Sequence, residues 1–129
     1  MLSKRLGTFC AVALGCAPLF CMAANFNVNN PTEFQTALTT AQANGESDTV
    51  NVGAGTFDVA SIGTLTYTAA ATENFGLTIT GGPQALAILD GGAQVPILRI
   101  DSTAVTNDGG VFFQVENLTF RNGNAVGAS

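Results

Sequence analysis

Short runs in which apolar and polar residues alternate occupy most of the chain after residue 24, and turns rich in Gly, Asn and Asp separate them. Alternation with a period of two places successive side chains on opposite faces of a β-strand. The pattern therefore predicts an all-β fold built from short strands. The predicted strands cover residues 26–29, 48–52, 56–59, 65–68, 77–80, 87–89, 98–101, 111–113 and 118–121.

One segment, residues 32–43, departs from this alternation and predicts an amphipathic helix. Thr32 and Gln35 have the spacing of a capping box, with Glu33 favourably placed in the first turn. Asn44-Gly45 provides a C-terminal stop. The apolar residues at helical spacing are Phe34, Ala37, Leu38 and Ala41.

Three strands look like copies of one another, because Leu77, Leu98 and Leu118 begin similar short segments at nearly equal intervals along the chain. Repeats this short, with no room for a helix, favour a β-solenoid over a β-sandwich, which remains open as the alternative. We expect turns with positive φ at Gly53, Gly55, Gly81 and Gly82. We expect a core that includes Leu77, Ile79, Ile88, Leu98, Ile100, Leu118 and Phe120.

The order of these segments resembles that of a known group of bacterial proteins. After the strand and the single helix come DTVNVGAGTF at 48–57, ENFGLTITGG at 73–82, ILDGG at 88–92 and NLTFRNG at 117–123. This order resembles the N-terminal part of secreted right-handed parallel β-helix proteins with the pectate-lyase-like fold, and is similar to the choice-of-anchor β-helix group. The resemblance covers residues 26–129. It implies that the helix caps the open end of the coil stack, with Phe34 and Leu38 over the first coil.

The first residues have the layout of a secretory signal peptide, which we assign to residues 1–23. Lys4 and Arg5 precede an apolar run from Leu6 to Phe20, which is shorter than the roughly 20 residues that span a membrane. The small residues Cys21 and Ala23 favour cleavage after Ala23, because cleavage after Ala24 would place the bulkier Met22 at a recognition position. A buried N-terminal helix and a lipoprotein signal at residues 13–16 are the alternatives. We expect export to the cell surface, the medium or the periplasm, and one domain over residues 24–129.

Removal of residues 1–23 leaves an acidic chain with little reactive chemistry. All three cysteines lie in that segment, and the chain contains no histidine. The formal net charge falls from −5 to −7, because only Arg99 and Arg121 remain as basic residues against all nine acidic ones. Such a charge argues against nucleic acid or anionic membrane as a partner, and nucleophilic triads are excluded. We predict no cofactor, no metal site and no membrane span after residue 23.

Polysaccharide lyases of the resembled fold use acidic calcium ligands and a basic residue on the coil surface. The candidates that this resemblance implies are Asp90, Asp101, Asp108, Glu116, Arg99 and Arg121. We interpret them as solvated strand faces, with Arg99 and Asp101 on the same side of a strand as a surface ion pair. The Asp-Gly-Gly triplets at 90–92 and 108–110 are typical of turns rather than of calcium loops. No catalytic, cofactor-binding or metal-binding residue is assigned.

Two functional hypotheses follow. The first is a secreted or surface-exposed, non-catalytic module for adhesion or carbohydrate contact. The second is the N-terminal part of a polysaccharide lyase or hydrolase. Because no helix or charged stop follows residues 118–121, we also expect an incomplete stack of coils that self-associates through its open end.

Overall fold

The computed structural model describes residues 23–73, 75–106 and 112–125. Most of the predicted signal peptide, and Asp108 with its glycine turn, lie outside the described residues. The described chain contains one α-helix, α1 (Pro31–Ala41), and a 3-10 turn at Val59–Ser61. The strands are β1 (Ala23–Val28), β2 (Ser47–Val52), β3 (Gly55–Asp58), β4 (Leu65–Thr68), β5 (Leu77–Thr80), β6 (Ala87–Asp90), β7 (Leu98–Asp101), β8 (Phe113–Glu116) and β9 (Leu118–Arg121).

The strands form three sheets in which every pairing is parallel. Sheet A has the order β1-β2-β5-β8, sheet B the order β3-β6-β9, and sheet C pairs β4 with β7. From β2 onward the chain visits sheets A, B and C in turn and then returns to sheet A, so each strand pairs with the one three strands later. We call one such passage a circuit. The fold is therefore mainly parallel β with a single helix.

One hydrophobic core takes residues from all three sheets and from α1. The register stacks inward side chains of successive circuits, as in Phe26–Val50–Ile79–Val115 across sheet A. Phe57 and Leu89 form the corresponding column in sheet B, and Leu65 and Leu98 that in sheet C. No helix among the described residues is long and apolar enough to cross a membrane.

The repeat predicted from the spacing of Leu77, Leu98 and Leu118 is wrong as a structural unit, because these residues begin strands of three different sheets, A, C and B. The true repeat is the circuit, which is longer: Asp48 pairs with Leu77, and Leu77 pairs with Phe113. All strands have one buried face, so they share the same alternation whichever sheet they belong to. Sequence similarity between neighbouring strands therefore imitates a repeat.

The helix begins one residue earlier than predicted and has a different cap. Asn30 is the N-cap, and its side chain accepts a hydrogen bond from the Glu33 amide at 2.9 Å. The Glu33 carboxylate in turn accepts one from the Asn29 amide at 2.8 Å. Asn30 and Glu33 thus perform the capping role that the sequence pattern assigns to Thr32 and Gln35.

Helix α1 covers the first circuit and supplies hydrogen bonds to an open strand edge. Phe34 and Leu38 are fully buried, as predicted, and the Phe34 ring meets Phe57 edge-on with centroids 6.4 Å apart. Strand β4 pairs with β7 on one side only. On the other side the Gln35 side-chain amide donates to the Thr66 carbonyl at 3.0 Å and accepts from the Thr66 amide at 2.8 Å. Gln35 therefore takes the place of a neighbouring strand.

Other sequence predictions need correction. Ile88 lies on the outer side of β6, because Ala87 and Leu89 are the buried residues there, and Phe120 is 44% exposed. Gly55 and Gly82 have positive φ as predicted, whereas Gly53 and Gly81 do not. Gly81 has no room for a side chain, because a Cβ there would collide with the Asn117 carbonyl. A Cβ at Gly53 would lie 2.5 Å from the Asn29 Oδ1 atom, so the Asn29 side chain would have to move. The strand predicted at 111–113 is β8, which begins at Phe113.

Candidate functional site

The outer face of sheet B carries a polar cleft. Parallel register places Asp58, Asp90 and Arg121 in one row across β3, β6 and β9. The 3-10 turn and the turn after β6 flank this row and form a cleft of about 400 Å³, which we call the sheet B cleft. Its lining residues are Thr56, Asp58, Ala60, Ser61, Asp90, Gly92 and Gln94.

A network of hydrogen bonds fixes Asp90 at the centre of this row. Arg121 Nε donates to Asp90 Oδ2 at 2.7 Å, and Asp90 Oδ1 accepts from the Gly92 amide at 2.9 Å and from Asn122 Nδ2 at 3.1 Å. These donors, the Gly92 amide foremost and then Arg121 and Asn122, hold the pKa of Asp90 below its usual value. A carboxylate so stabilised stays ionised and is a poor general acid or base near neutral pH. The site is suited to hydrogen bonding rather than to proton transfer.

The second predicted pair lies on sheet C. Arg99 and Asp101 form the expected ion pair, with Arg99 Nη2 3.6 Å from Asp101 Oδ2 and the Arg99 side chain 71% exposed. Asp101 Oδ1 also accepts hydrogen bonds from the Thr103 amide at 3.0 Å and the Thr103 hydroxyl at 2.7 Å. The amide and then the hydroxyl lower the pKa of Asp101. An exposed pair of this kind contributes little to stability.

The structure does not bring the six candidate residues together. Asp90 and Arg121 share the outer face of sheet B, Arg99 and Asp101 lie on sheet C, and Glu116 is exposed on β8 of sheet A. Asp108 lies outside the described residues. Within the described residues no three acidic, histidine or cysteine side chains are grouped as metal ligands.

Sequence reasoning missed Asp58 and Gln94, which line the cleft beside Asp90. Asp58 becomes a candidate only through the register that sets β3 against β6. Gln94 lies in a turn between β6 and β7, where no periodic pattern predicts which way its side chain points. Both side chains are solvent-exposed and therefore available to a ligand.

Sheet A offers a second polar surface. Its outward residues form two rows in register across β1, β2, β5 and β8, and only Glu116 among them is charged. Neighbouring strands lie about 4.8 Å apart, so each row repeats hydrogen-bonding groups at that interval. The rows are Asn25–Thr49–Thr78–Gln114 and Asn27–Asn51–Thr80–Glu116.

Comparison of the chain with protein-family models, with curated proteins and with solved structures finds no significant match.

Proposed function

We propose that the chain is an exported right-handed parallel β-helix module that contacts carbohydrate without chemically changing it. Three parallel sheets visited in turn, with stacked inward columns, support a β-helix. The β1–α1–β2 unit joins two adjacent parallel strands of sheet A, and crossovers of this kind are right-handed in nearly all proteins. The helix at the first circuit agrees with the resemblance to secreted β-helix proteins.

The sheet B cleft is the single observation that carries the proposed binding function. Hydroxyl, amide and carboxylate groups line it, and such groups hydrogen-bond the hydroxyls of a sugar in either direction. The Asp90–Arg121 bond preorganises one wall, so little side-chain freedom is lost on binding. The acidic charge of the chain would repel polyuronates, which makes a neutral glycan the better ligand.

Affinity electrophoresis in gels containing neutral or acidic soluble polysaccharides tests this function. We expect retardation by a neutral glycan and a loss of affinity of about tenfold or more in Asp58→Ala or Gln94→Ala, because each removes a hydrogen-bonding group from the cleft. Both residues are exposed, so stability should change by no more than about 0.5 kcal/mol.

Thr78→Ala on the outer face of sheet A is the matched control and should bind like the parent chain. Equal retardation of the parent and both cleft variants would contradict the site. Unsaturated product released from an acidic polysaccharide with calcium present, and abolished in Arg121→Ala, would instead favour the lyase alternative.

Export has its own test. N-terminal sequencing of protein recovered outside the cytoplasm should give a first residue of Ala24, because Cys21 and Ala23 then occupy the small-residue positions of the cleavage site. Cleavage one residue later, which gives Asn25, would place the bulkier Met22 at one of these positions. A matched variant with Lys4 and Arg5 changed to Glu should lower the exported fraction. An exported protein that retains Met1 would contradict the signal peptide.

A further inference from the structure

Two carboxyl side chains are buried where α1 meets the sheets. Asp48 and Glu73 are 3% and 1% exposed. Asp48 occupies an inward position of β2, in register with Ala24 of β1 and Leu77 of β5. Glu73 lies in the connection between β4 and β5. Neither position belongs to the sheet B cleft.

Both carboxyl groups bind the same short segment, residues 42–46, which joins α1 to β2. Asn44 Nδ2 donates to Asp48 Oδ1 at 2.8 Å, and the Gly45 amide donates to Glu73 Oε2 at 3.1 Å. A third bond, from the Ala70 amide to the Gln42 carbonyl at 2.9 Å, ties the segment to the β4–β5 connection. The remaining oxygen, Glu73 Oε1, is buried and has no hydrogen-bond partner.

No basic group neutralises this pair within the described chain. The titratable groups that face Asp48 are Glu46 of the same segment, Glu73 and Tyr67 of β4. The two described arginines pair with Asp90 and Asp101 on the outer faces of sheets B and C. Two buried negative charges without a cation are strongly unfavourable, so burial beside Glu73 favours the protonated form of Asp48.

The pKa of Asp48 is shifted in the direction that this burial predicts. Burial raises the pKa of Asp48 from 3.8 to about 6; the Asn44 hydrogen bond opposes that rise, and the charges of Glu73 and Glu46 add to it. Because the folded pKa is the higher one, the native state binds the proton more tightly than the unfolded state. The resulting stabilisation is complete below pH 3.8 and is lost as the pH rises through about 6.

We propose that Asp48 and Glu73 form an acid-closed latch that holds residues 42–46 against the β4–β5 connection and releases them when Asp48 loses its proton. Release frees the end of α1 that carries Gln42. The Gln42 Oε1 atom accepts a hydrogen bond from the Thr68 amide at 3.2 Å, so an open latch also loosens the helix from the edge of β4. The module is thus tightened in mildly acidic surroundings and loosened at neutral pH.

Amide hydrogen exchange of the purified protein tests the latch, with EDTA present and intrinsic exchange rates corrected for pH. The Gly45 amide is a direct reporter, because it donates to Glu73. We expect its protection factor to fall by about a hundredfold between pH 4 and pH 8, since a rise in pKa from 3.8 to about 6 corresponds to a factor of that size. Asp48→Asn should remove most of this dependence, and Glu73→Gln should do the same if the first variant does not fold.

Glu116→Gln, an exposed change on sheet A outside the sheet B cleft, is the control for net charge and should keep the parent profile. Protection at Gly45 that is constant or rises with pH in the parent chain would overturn the latch. Calcium that restores protection at neutral pH, with an effect lost in Glu73→Gln, would also overturn it, because a metal ion rather than a proton would then neutralise the pair.

Discussion

Replacing Phe34 by Asp is expected to abolish stable folding. The Phe34 side chain is fully buried and its ring packs edge-on against Phe57 in the first circuit. Truncating a buried Phe alone costs about 3–5 kcal/mol, and a carboxylate left in the cavity adds a further desolvation cost. Since small domains have a total stability of about 5–15 kcal/mol, the variant should be recovered largely unfolded or aggregated. Denaturant unfolding monitored by circular dichroism measures the change.

Two further substitutions in α1 distinguish the loss of core packing from the loss of the hydrogen bonds that cover the edge of β4. Thr36→Asp lies on the exposed face of α1 and should change stability by no more than about 0.5 kcal/mol. Gln35→Met keeps the bulk of the side chain but leaves the Thr66 amide and carbonyl without their partner, which should cost about 1–3 kcal/mol and promote aggregation at the edge of β4. If Phe34→Asp were as stable as Thr36→Asp, α1 would not cover the first circuit.

Strand positions could be predicted from the sequence because each strand has one buried face. The alternation in Leu65–Thr68 and Leu77–Thr80 matches β4 and β5 residue for residue. The alternation does not encode the partner strand, since a strand of sheet B looks like a strand of sheet C. For that reason the similar starts at Leu77 and Leu98 indicate a repeat that the structure does not contain.

For the buried carboxyl pair, the sequence predicts the burial of Asp48 but not that of Glu73. Asp48 has the same parity as Val50 and Val52, so the alternation itself places it inward. Glu73 lies in a connection without periodicity, and no pattern predicts that it is buried. The sequence also could not predict that Asp58, Asp90 and Arg121 form one row on the outer face. That row depends on the register between strands that are far apart in the chain.

The acidic residues in the sheet B cleft and at the α1–β2 junction have different physical roles. At Asp90 three donors stabilise a partly exposed carboxylate, which remains charged and able to bind a ligand. At Asp48 burial without a cation favours the protonated form, so this group responds to pH instead. The proposed carbohydrate contact on sheet B should therefore be nearly independent of pH over the range in which the α1–β2 junction loosens.

The second large effect is expected at the last described circuit, where apolar side chains are left exposed. Phe112, Val115 and Phe120 are 68%, 40% and 44% exposed. No described strand pairs with the outer edges of β8 and β9, whose free amides and carbonyls can template pairing with another chain. We propose that the edges of β8 and β9 associate with the same edges of a second copy, which present the same apolar side chains and free backbone groups. At the first circuit, by contrast, α1 already covers the edge of β4.

Sedimentation velocity over a wide concentration series should show association that strengthens with salt, since salt screens the repulsion between two acidic chains. Changing Phe112 and Phe120 together to Ser should weaken it by about a hundredfold or more, because burying one aromatic side chain contributes about 1.5–3 kcal/mol. Ile62→Ser is the matched control: Ile62 is 41% exposed but lies beside α1, so its variant should associate like the parent. A parent chain that stays monomeric at every concentration would contradict an associating edge, and a loss of association in Ile62→Ser alone would move the interface to the helix.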